Sequence, residues 1–317
     1  MTPKVSVIIS TVGRNTLIKS LESVLNQTYQ DFEIIITDDT EDEKAKNLIE
    51  PFLNDKRIKY FVNKKYMHGP SGNKNNGLDR VNGEYFIFLD DDDIMFNNAL
   101  ESLLEIVEKY KYKVVFTNCV DNVKKKFTGK HYNKSEEVYF KDWICGRYEG
   151  EYLVLCKTEI LEDDRFYEEC WGGENLLWWK IYKKIDKSFY LHDQLKEYSL
   201  NSSDSVTKRS IDHTLSKRTF LNYKYLLDNF EDDFLKNCPQ AYSRIVIPGI
   251  FFAKLSGNLK DINKLVIKSL KINPKSFFYI IPWGFFCLIF PKKLILFIYQ
   301  EIFNKNFKEK IKNIILK

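Results

Sequence analysis

The chain opens with a regular exchange of short apolar runs and amphipathic stretches. "KVSVIIS" (4–10) and "FEIIITD" (32–38) are rich in Val and Ile and end in polar residues, the pattern of buried strands. Between them Leu17, Leu21, Val24, Leu25 and Thr28 recur at helical spacing. "RIKYFV" (57–62), "EYFIFLD" (84–90) and "KVVFTN" (113–118) continue the strand series, and helical patterns fill 42–54, 71–82 and 96–111. Strands separated by helices predict βαβ units and an α/β domain built on a mostly parallel sheet. In such sheets ligands bind outside the carboxyl ends of the strands. Three of those ends carry polar clusters: "TVGR" at 11–14, "DDT" at 38–40 and "DDDD" at 90–93.

Further on, "EYLVLCK" (151–157) reads as a strand, "ENLLWWKIYKKI" (174–185) as a helix and "KSFYLHD" as a strand. From 213 onward the pattern is helical, and "KLSGNLKDINKLVIKSLKINPKS" gives a helix, a Gly turn and a second helix ended by Pro274. The predicted division is a domain at 1–212 and a helical region at 213–317. Residues 277–290, "FFYIIPWGFFCLIF", are nearly all apolar but are interrupted by Pro282 and Gly284. They fall short of the roughly twenty residues that span a bilayer.

Charge sharpens this division. From Lys254 to the end 13 lysines face three acids, a net of +10, which leaves −5 on the remaining 253 of the 317 residues. Lys275, Lys292 and Lys293 flank the apolar run, and the tail beyond it is amphipathic and lysine-rich. Two arrangements suit this pattern: a segment lying in an anionic membrane surface, or a buried hairpin of core helices. Nucleic acid is a poorer partner, because the lysines are interleaved with long aliphatics. The six cysteines include no C-x-x-C pair and suit neither a zinc site nor a disulfide framework. "MTPKVSVIIS" has no long apolar h-region, so the expectation is a reduced, cytoplasmic protein, peripheral on the cytosolic face of the membrane.

Four adjacent aspartates at a strand end repel one another, and either water or a cation must offset the cost. Counting from Asp90, an EF-hand loop fails because its fifth and sixth positions would be Ile94 and Met95, and no P-loop motif occurs. What remains is a D-x-D closing a buried strand. Upstream of it stand "SVIISTVGR", "IIITDDT" and "HGPSGNKNNGLDRVNGEYFIFLDDDD", in that order. This ordered set, spread over the first 100 residues or so, resembles family 2 glycosyltransferases of bacterial or archaeal surface-glycan type.

The resemblance implies a GT-A fold: a Rossmann-like, mostly parallel mixed sheet flanked by helices. It implies inverting transfer of a sugar from a UDP- or GDP-hexose donor to a lipid-linked saccharide or surface-glycan acceptor, assisted by Mn2+ or Mg2+. Carried over position by position, it puts Thr11, Arg14, Asp38 and Asp39 at the nucleotide, and Gly72, Lys74 and Asn75 of "GNKNNG" at the donor. Asp90 goes to the ribose side, Asp92 to the metal, and Asp91 between them. Lys74 stands where the family has Arg, so it meets a phosphate as a point charge without the bidentate fork. The chemistry is coherent, since a hard cation on carboxylates takes up the charge of a departing diphosphate.

An inverting transfer also needs a carboxylate to accept the acceptor's proton. The family supplies it as the Asp of G-E-D-x-x-L/W-x-x-R, but here "GGENLLWWKIYKK" has Asn175 at that place, and an amide is no base. The expectation falls on Glu174, with Glu168 and Glu169 as nearby acids. The family's late Y-R-x-H element appears as "EYSLNSSDSVTKR", with Asn201 where a metal-facing His occurs. Two rivals stand beside this reading: a nucleotidyltransferase, and an inactive sugar-nucleotide-binding relative.

Overall fold

The computed structural model describes residues 2–130, 132–199 and 213–303. It falls into two compact units, Met1–Arg209 and Ser210–Lys317. Asn201 lies outside the described residues.

The first unit is built on a nine-stranded sheet. Its strands are β1 (Val5–Thr11), β2 (Phe32–Asp38), β3 (Ile58–Val62), β4 (Tyr85–Asp90), β5 (Ile94–Met95), β6 (Val114–Asp121), β7 (Glu136–Val138), β8 (Tyr152–Lys157) and β9 (Ser188–Tyr198). The order is β3-β2-β1-β4-β8-β6-β9-β5, with β7 paired to β9. The sheet is mixed. β3, β2, β1 and β4 run parallel, and β8 enters antiparallel between β4 and β6. Register sets up the site: Thr11 is opposite Asp38, and Ser10 is opposite Asp90. Three polar strand ends therefore stand abreast on one edge.

Alternation along the parallel strands explains why both faces are covered. Val7, Ile9, Ile34, Ile36, Ile87 and Leu89 pack with Leu17, Leu21 and Val24 of α1 (Leu17–Leu25) and Leu100, Leu103 and Leu104 of α4 (Ala99–Tyr110). Each such side chain contributes about 1.5–3 kcal/mol of burial. From the opposite face Phe86 and Phe88 meet Trp178 of α6 (Glu174–Lys184). Of the pattern at 42–54, a helix α2 (Lys44–Ile49) and a 3-10 turn (Glu50–Phe52) form. Short β5, β7 and α5 (Phe140–Ile144) have too few residues to give a period, and β9 runs past the expected end of its strand.

The helix expected at 71–82 forms as α3 (Pro70–Leu78), but it is not amphipathic: every residue from Ser71 to Leu78 is buried. Its polar side chains are satisfied across the strand ends. Asn73 Nδ2 donates to the carbonyls of Thr11 (3.1 Å) and Thr37 (2.9 Å), and Asn76 Nδ2 donates to Thr37 Oγ1 (2.6 Å). Buried polar groups persist where such partners exist, so α3 is a polar staple over the carboxyl edge of the sheet.

Cys119, Cys156 and Cys287 are buried free thiols.

The second unit is helical: α7 (His213–Asn229), α8 (Glu231–Asn237), α9 (Ser243–Ser256), α10 (Leu259–Ile272), α11 (Phe277–Ile289) and α12 (Lys292–Phe303). Gly257, at φ 83°, ends α9 in the left-handed conformation that glycine adopts without penalty. In α11, Ile280, Gly284 and Cys287 form the buried face. Phe278, Pro282, Phe285 and Ile289 lie on the exposed face at helical spacing. Among the described residues no helix is long and apolar enough to cross a membrane.

Candidate active site

The charge of the aspartate quartet is partly offset by three protein cations drawn from distant parts of the sequence. Arg14 Nη1 lies 2.8 Å from Asp91 Oδ1 and 3.0 Å from Asp92 Oδ2. Lys74 Nζ lies 3.1 Å from Asp90 Oδ1, and Lys196 Nζ lies 2.6 Å from Asp93 Oδ2. Like charges can share a strand end when each has such a counter-ion. Thr11 Oγ1 adds a 2.6 Å bond to Asp91 Oδ2. These partners divide the quartet. Asp91 and Asp93 are buried, whereas the Asp90 side chain is 41% exposed and Asp92 keeps a partly open face.

Protonation follows from these surroundings. For Asp90 the burial cost is outweighed by Lys74, Lys196 and Arg14, so its carboxyl is held below the usual range. Asp92 is pushed up to about 6: burial and the charges of Asp93, Asp90 and Asp91 outweigh the pull of Arg14. Lys74 is raised, because the charges of Asp90 and Glu174 overcome a desolvation that alone would lower it.

Other expected residues divide between the site and its support. Asp38 is fully buried, and both its oxygens are engaged internally: Oδ1 accepts from Thr40 N and Oγ1, and Oδ2 from Ala45 N and the Tyr60 hydroxyl. It caps the strand end and has no lone face toward a ligand. Asp39 accepts from Asn63 Nδ2 (2.8 Å) and Gly69 N (2.7 Å), and burial raises its carboxyl against those bonds. Asn75 clamps the Phe166 backbone, donating to its carbonyl at 2.9 Å and accepting from its N–H at 2.8 Å. Gly72 is a contact glycine, since a Cβ there would sit 2.0 Å from the Met67 carbonyl oxygen.

Lys74 joins the two halves of the site. Its Nζ reaches Glu174 Oε1 at 2.6 Å as well as Asp90, and it lies over the Phe88 ring. Glu174 opens α6, placed by the turn at Gly172 and Gly173. Beside this triad is a cavity of about 240 Å³. Its walls carry Trp143, Tyr152, Trp178, Trp179 and Tyr182, and its polar lining includes Lys74, Asp90, Glu151, Glu174, Asn175 and Lys196. Asn175 Oδ1 and Trp143 Nε1 are buried polar atoms with no hydrogen-bond partner. Flat aromatic faces interleaved with hydrogen-bonding groups suit a saccharide.

Sequence reading missed Lys196 and Glu151. Antiparallel β8 begins at Tyr152, opposite Asn118 toward the end of β6, and this delivers Glu151 to the carboxyl edge.

Comparison with known proteins bears on this arrangement. The sequence model described as Glycosyl transferase family 2 matches residues 6–161. The GalNAc(5)-diNAcBac-PP-undecaprenol beta-1,3-glucosyltransferase of Campylobacter jejuni is 37% identical over 284 residues, which cover 85% of this chain and 89% of the relative. The chain belongs to glycosyltransferase family 2. Among solved structures, Staphylococcus aureus TarS (residues 1–349, with UDP-GlcNAc) is similar at TM-score 0.62 and 16% identity, covering 86% of this chain and 91% of that one. The mannosyltransferase PcManGT of Pyrobaculum calidifontis, with GDP-Man and Mn2+, gives TM-score 0.55 and 12% identity, covering 96% and 88%. These two likenesses concern the fold, which is the GT-A arrangement expected from the sequence.

Proposed function

We propose that this glycosyltransferase moves a hexose, with inversion, from a UDP- or GDP-linked donor to a lipid-diphosphate-linked saccharide. The observation that carries the reading is Lys74: one buried cation bridges Asp90 of the donor side to Glu174 of the aromatic cavity. A sugar donor and its acceptor must meet at such a junction. The acceptor class is supported by the C. jejuni relative, whose name specifies an undecaprenyl-diphosphate-linked saccharide. The UDP-GlcNAc and GDP-Man held by the two structural neighbours support the donor class.

On the donor side Thr11, Arg14 and Asp39 would flank the nucleotide and Asp90 the ribose. Arg14 Nε is buried without an acceptor beside Asp91 and Asp92, which suits an incoming phosphate oxygen. Mn2+ or Mg2+ fits Asp92, a partly open carboxylate in a surplus of negative charge. Among the described residues no group of three or more His, Cys, Asp or Glu is arranged to hold an ion. The donor's phosphates would then complete the coordination, and the bound ion would supply Lewis-acid stabilisation of the leaving diphosphate.

The exposed aromatic face of α11, flanked by exposed Lys275, Lys292 and Lys293, supports a peripheral seat on an anionic membrane. Such a seat would bring the chain to the membrane that carries a lipid-linked acceptor, on the cytosolic face.

The test is product analysis with UDP-glucose, UDP-GlcNAc and GDP-mannose, each supplied with Mn2+ and a polyprenyl-diphosphate-linked N-acetylhexosamine. Release of nucleoside diphosphate together with an extended lipid-linked sugar is expected. Release of pyrophosphate from UTP and glucose 1-phosphate with formation of UDP-glucose, and no transfer from UDP-glucose to the lipid, would identify a nucleotidyltransferase and overturn the reading. Asp92→Ala is expected to abolish transfer while the chain stays folded.

A further inference from the structure

We propose that Glu151 is the general base of the transfer, taking the proton from the acceptor hydroxyl as its oxygen attacks. The inference rests on the reading of the chain as an inverting glycosyltransferase and names the group that reading needs.

The base must be a carboxylate that faces the cavity with a lone pair to spare. Three carboxylates line the cavity: Asp90, Glu151 and Glu174. Two of them share the Lys74 ammonium, at 3.1 Å for Asp90 and 2.6 Å for Glu174. The Lys74 ammonium occupies a lone pair on each of them, and an acceptor hydroxyl would have to compete with it. Among the described residues the Glu151 carboxylate has no hydrogen bond or ion pair; only its backbone carbonyl is used, by Thr128 Oγ1. Its side chain is open to the cavity. Asn175, at the place of the family's Asp, offers an orphaned Oδ1 to the same space. There it can accept a hydrogen bond from a second acceptor hydroxyl and orient the sugar, which is a task an amide can perform.

In the step itself the acceptor oxygen forms its bond to the anomeric carbon, and the anomeric carbon–phosphate oxygen bond breaks. The electron pair leaves with the nucleoside diphosphate, and the acceptor proton ends on Glu151. Basicity is consistent with this task. Desolvation by the surrounding protein pushes the Glu151 carboxyl up to about 7, with Glu174 and Asp90 adding to the shift and Lys196 and Lys74 opposing it. Such a group is a stronger proton acceptor than an ordinary carboxylate and is still substantially ionised at neutral pH.

The experiment compares the full chain with Glu151→Gln and Glu174→Gln, using the three sugar nucleotides and the lipid-linked N-acetylhexosamine named above. Glu151→Gln is isosteric and breaks no internal bond, so folding is preserved. It should lower kcat by about 10²- to 10⁴-fold, the usual contribution of a general base. Calorimetric affinity for the sugar nucleotide should stay within about twofold of wild type, because binding does not use this carboxylate. Wild-type kcat/KM should rise with pH through a midpoint near 7, and that acid limb should vanish from the residual activity of Glu151→Gln. Glu174→Gln should retain the limb and act chiefly on donor KM, through Lys74. Transfer by Glu151→Gln within about tenfold of wild type with the limb intact, or loss of the limb in Glu174→Gln instead, overturns the assignment of the base alone. A wild-type chain that binds none of the sugar nucleotides and releases no nucleoside diphosphate overturns the underlying reading, and the base with it.

Discussion

Replacing Lys196 by Met isolates the most deeply buried ion pair of the site. The side chains of Lys196 and Asp93 are 6% and 1% exposed, and their charged atoms are 2.6 Å apart. Without Lys196, the Ser199 N–H at 3.0 Å is the one donor left to the Asp93 carboxylate among the described residues. Breaking a buried pair from one side typically costs about 3–5 kcal/mol, because an uncompensated charge is left in a poorly solvated place. Burial already raises the Asp93 carboxyl above its ordinary value even with Lys196 opposing it, and the variant raises it further. A carboxyl raised in the folded state stabilises the fold below its unfolded pKa, and that contribution is lost as pH rises through the folded pKa. The penalty should therefore be largest at pH 8 and shrink toward pH 5. Urea unfolding followed by tryptophan fluorescence reads this well, since Trp143, Trp171, Trp178 and Trp179 all lie in the first unit. Adding Asp93→Asn should recover most of the loss, as removal of both charges leaves no ion unpaired. A single-variant penalty below about 1 kcal/mol at pH 8, or one that adds to that of Asp93→Asn without coupling, would refute the claim that the pair holds the quartet together.

Glu151→Gln should be more thermostable than wild type at pH 8, where the native carboxyl is ionised at a desolvation cost. The difference should shrink steadily toward pH 5 and vanish below the unfolded pKa of about 4.5, and a pH-independent Tm difference would show that the carboxyl is not raised. Gly72→Ala should destabilise the first unit by about 3 kcal/mol or more, because its Cβ would meet the Met67 carbonyl at 2.0 Å. A thermal scan with an unchanged Tm would contradict that packing. Phe278→Ser with Phe285→Ser removes side chains that are 82% and 63% exposed. Partition onto anionic vesicles should fall by at least about tenfold in a flotation assay, given the burial worth of a Phe side chain. Unchanged flotation would remove α11 from the membrane contact.

The parts of this molecule that were legible in the sequence are those written in local patterns. Val- and Ile-rich runs mark β1 and β2, whose buried polar positions Ser6 and Glu33 hydrogen-bond each other, and the Asp90–Asp93 cluster falls where such a run stops. Local pattern could not say which of two adjacent acids faces a ligand. Asp38 and Asp39 read alike, yet Asp38 is consumed by Thr40, Ala45 and Tyr60, while Asp39 is bound at Asn63 and Gly69. It also could not name the quartet's counter-ions, since Arg14 and Lys196 arrive from elements far away in the chain.

Glu151 is the instructive omission. At the start of "EYLVLCK" it looks like the solvated entrance to a strand, on the edge remote from the ligand side of a parallel sheet. That inference inverts once β8 runs antiparallel, because the amino end of an antiparallel strand lies beside the carboxyl ends of its parallel neighbours. Tyr152 opposite Asn118, and Lys157 opposite Tyr85, fix that direction. A signal was present in strand order alone: β6 and β8 form consecutive long strands without a helix of crossover length between them, α5 being only five residues. Such a connection favours antiparallel return, and antiparallel return carries any acid at the start of β8 to the edge where the quartet stands.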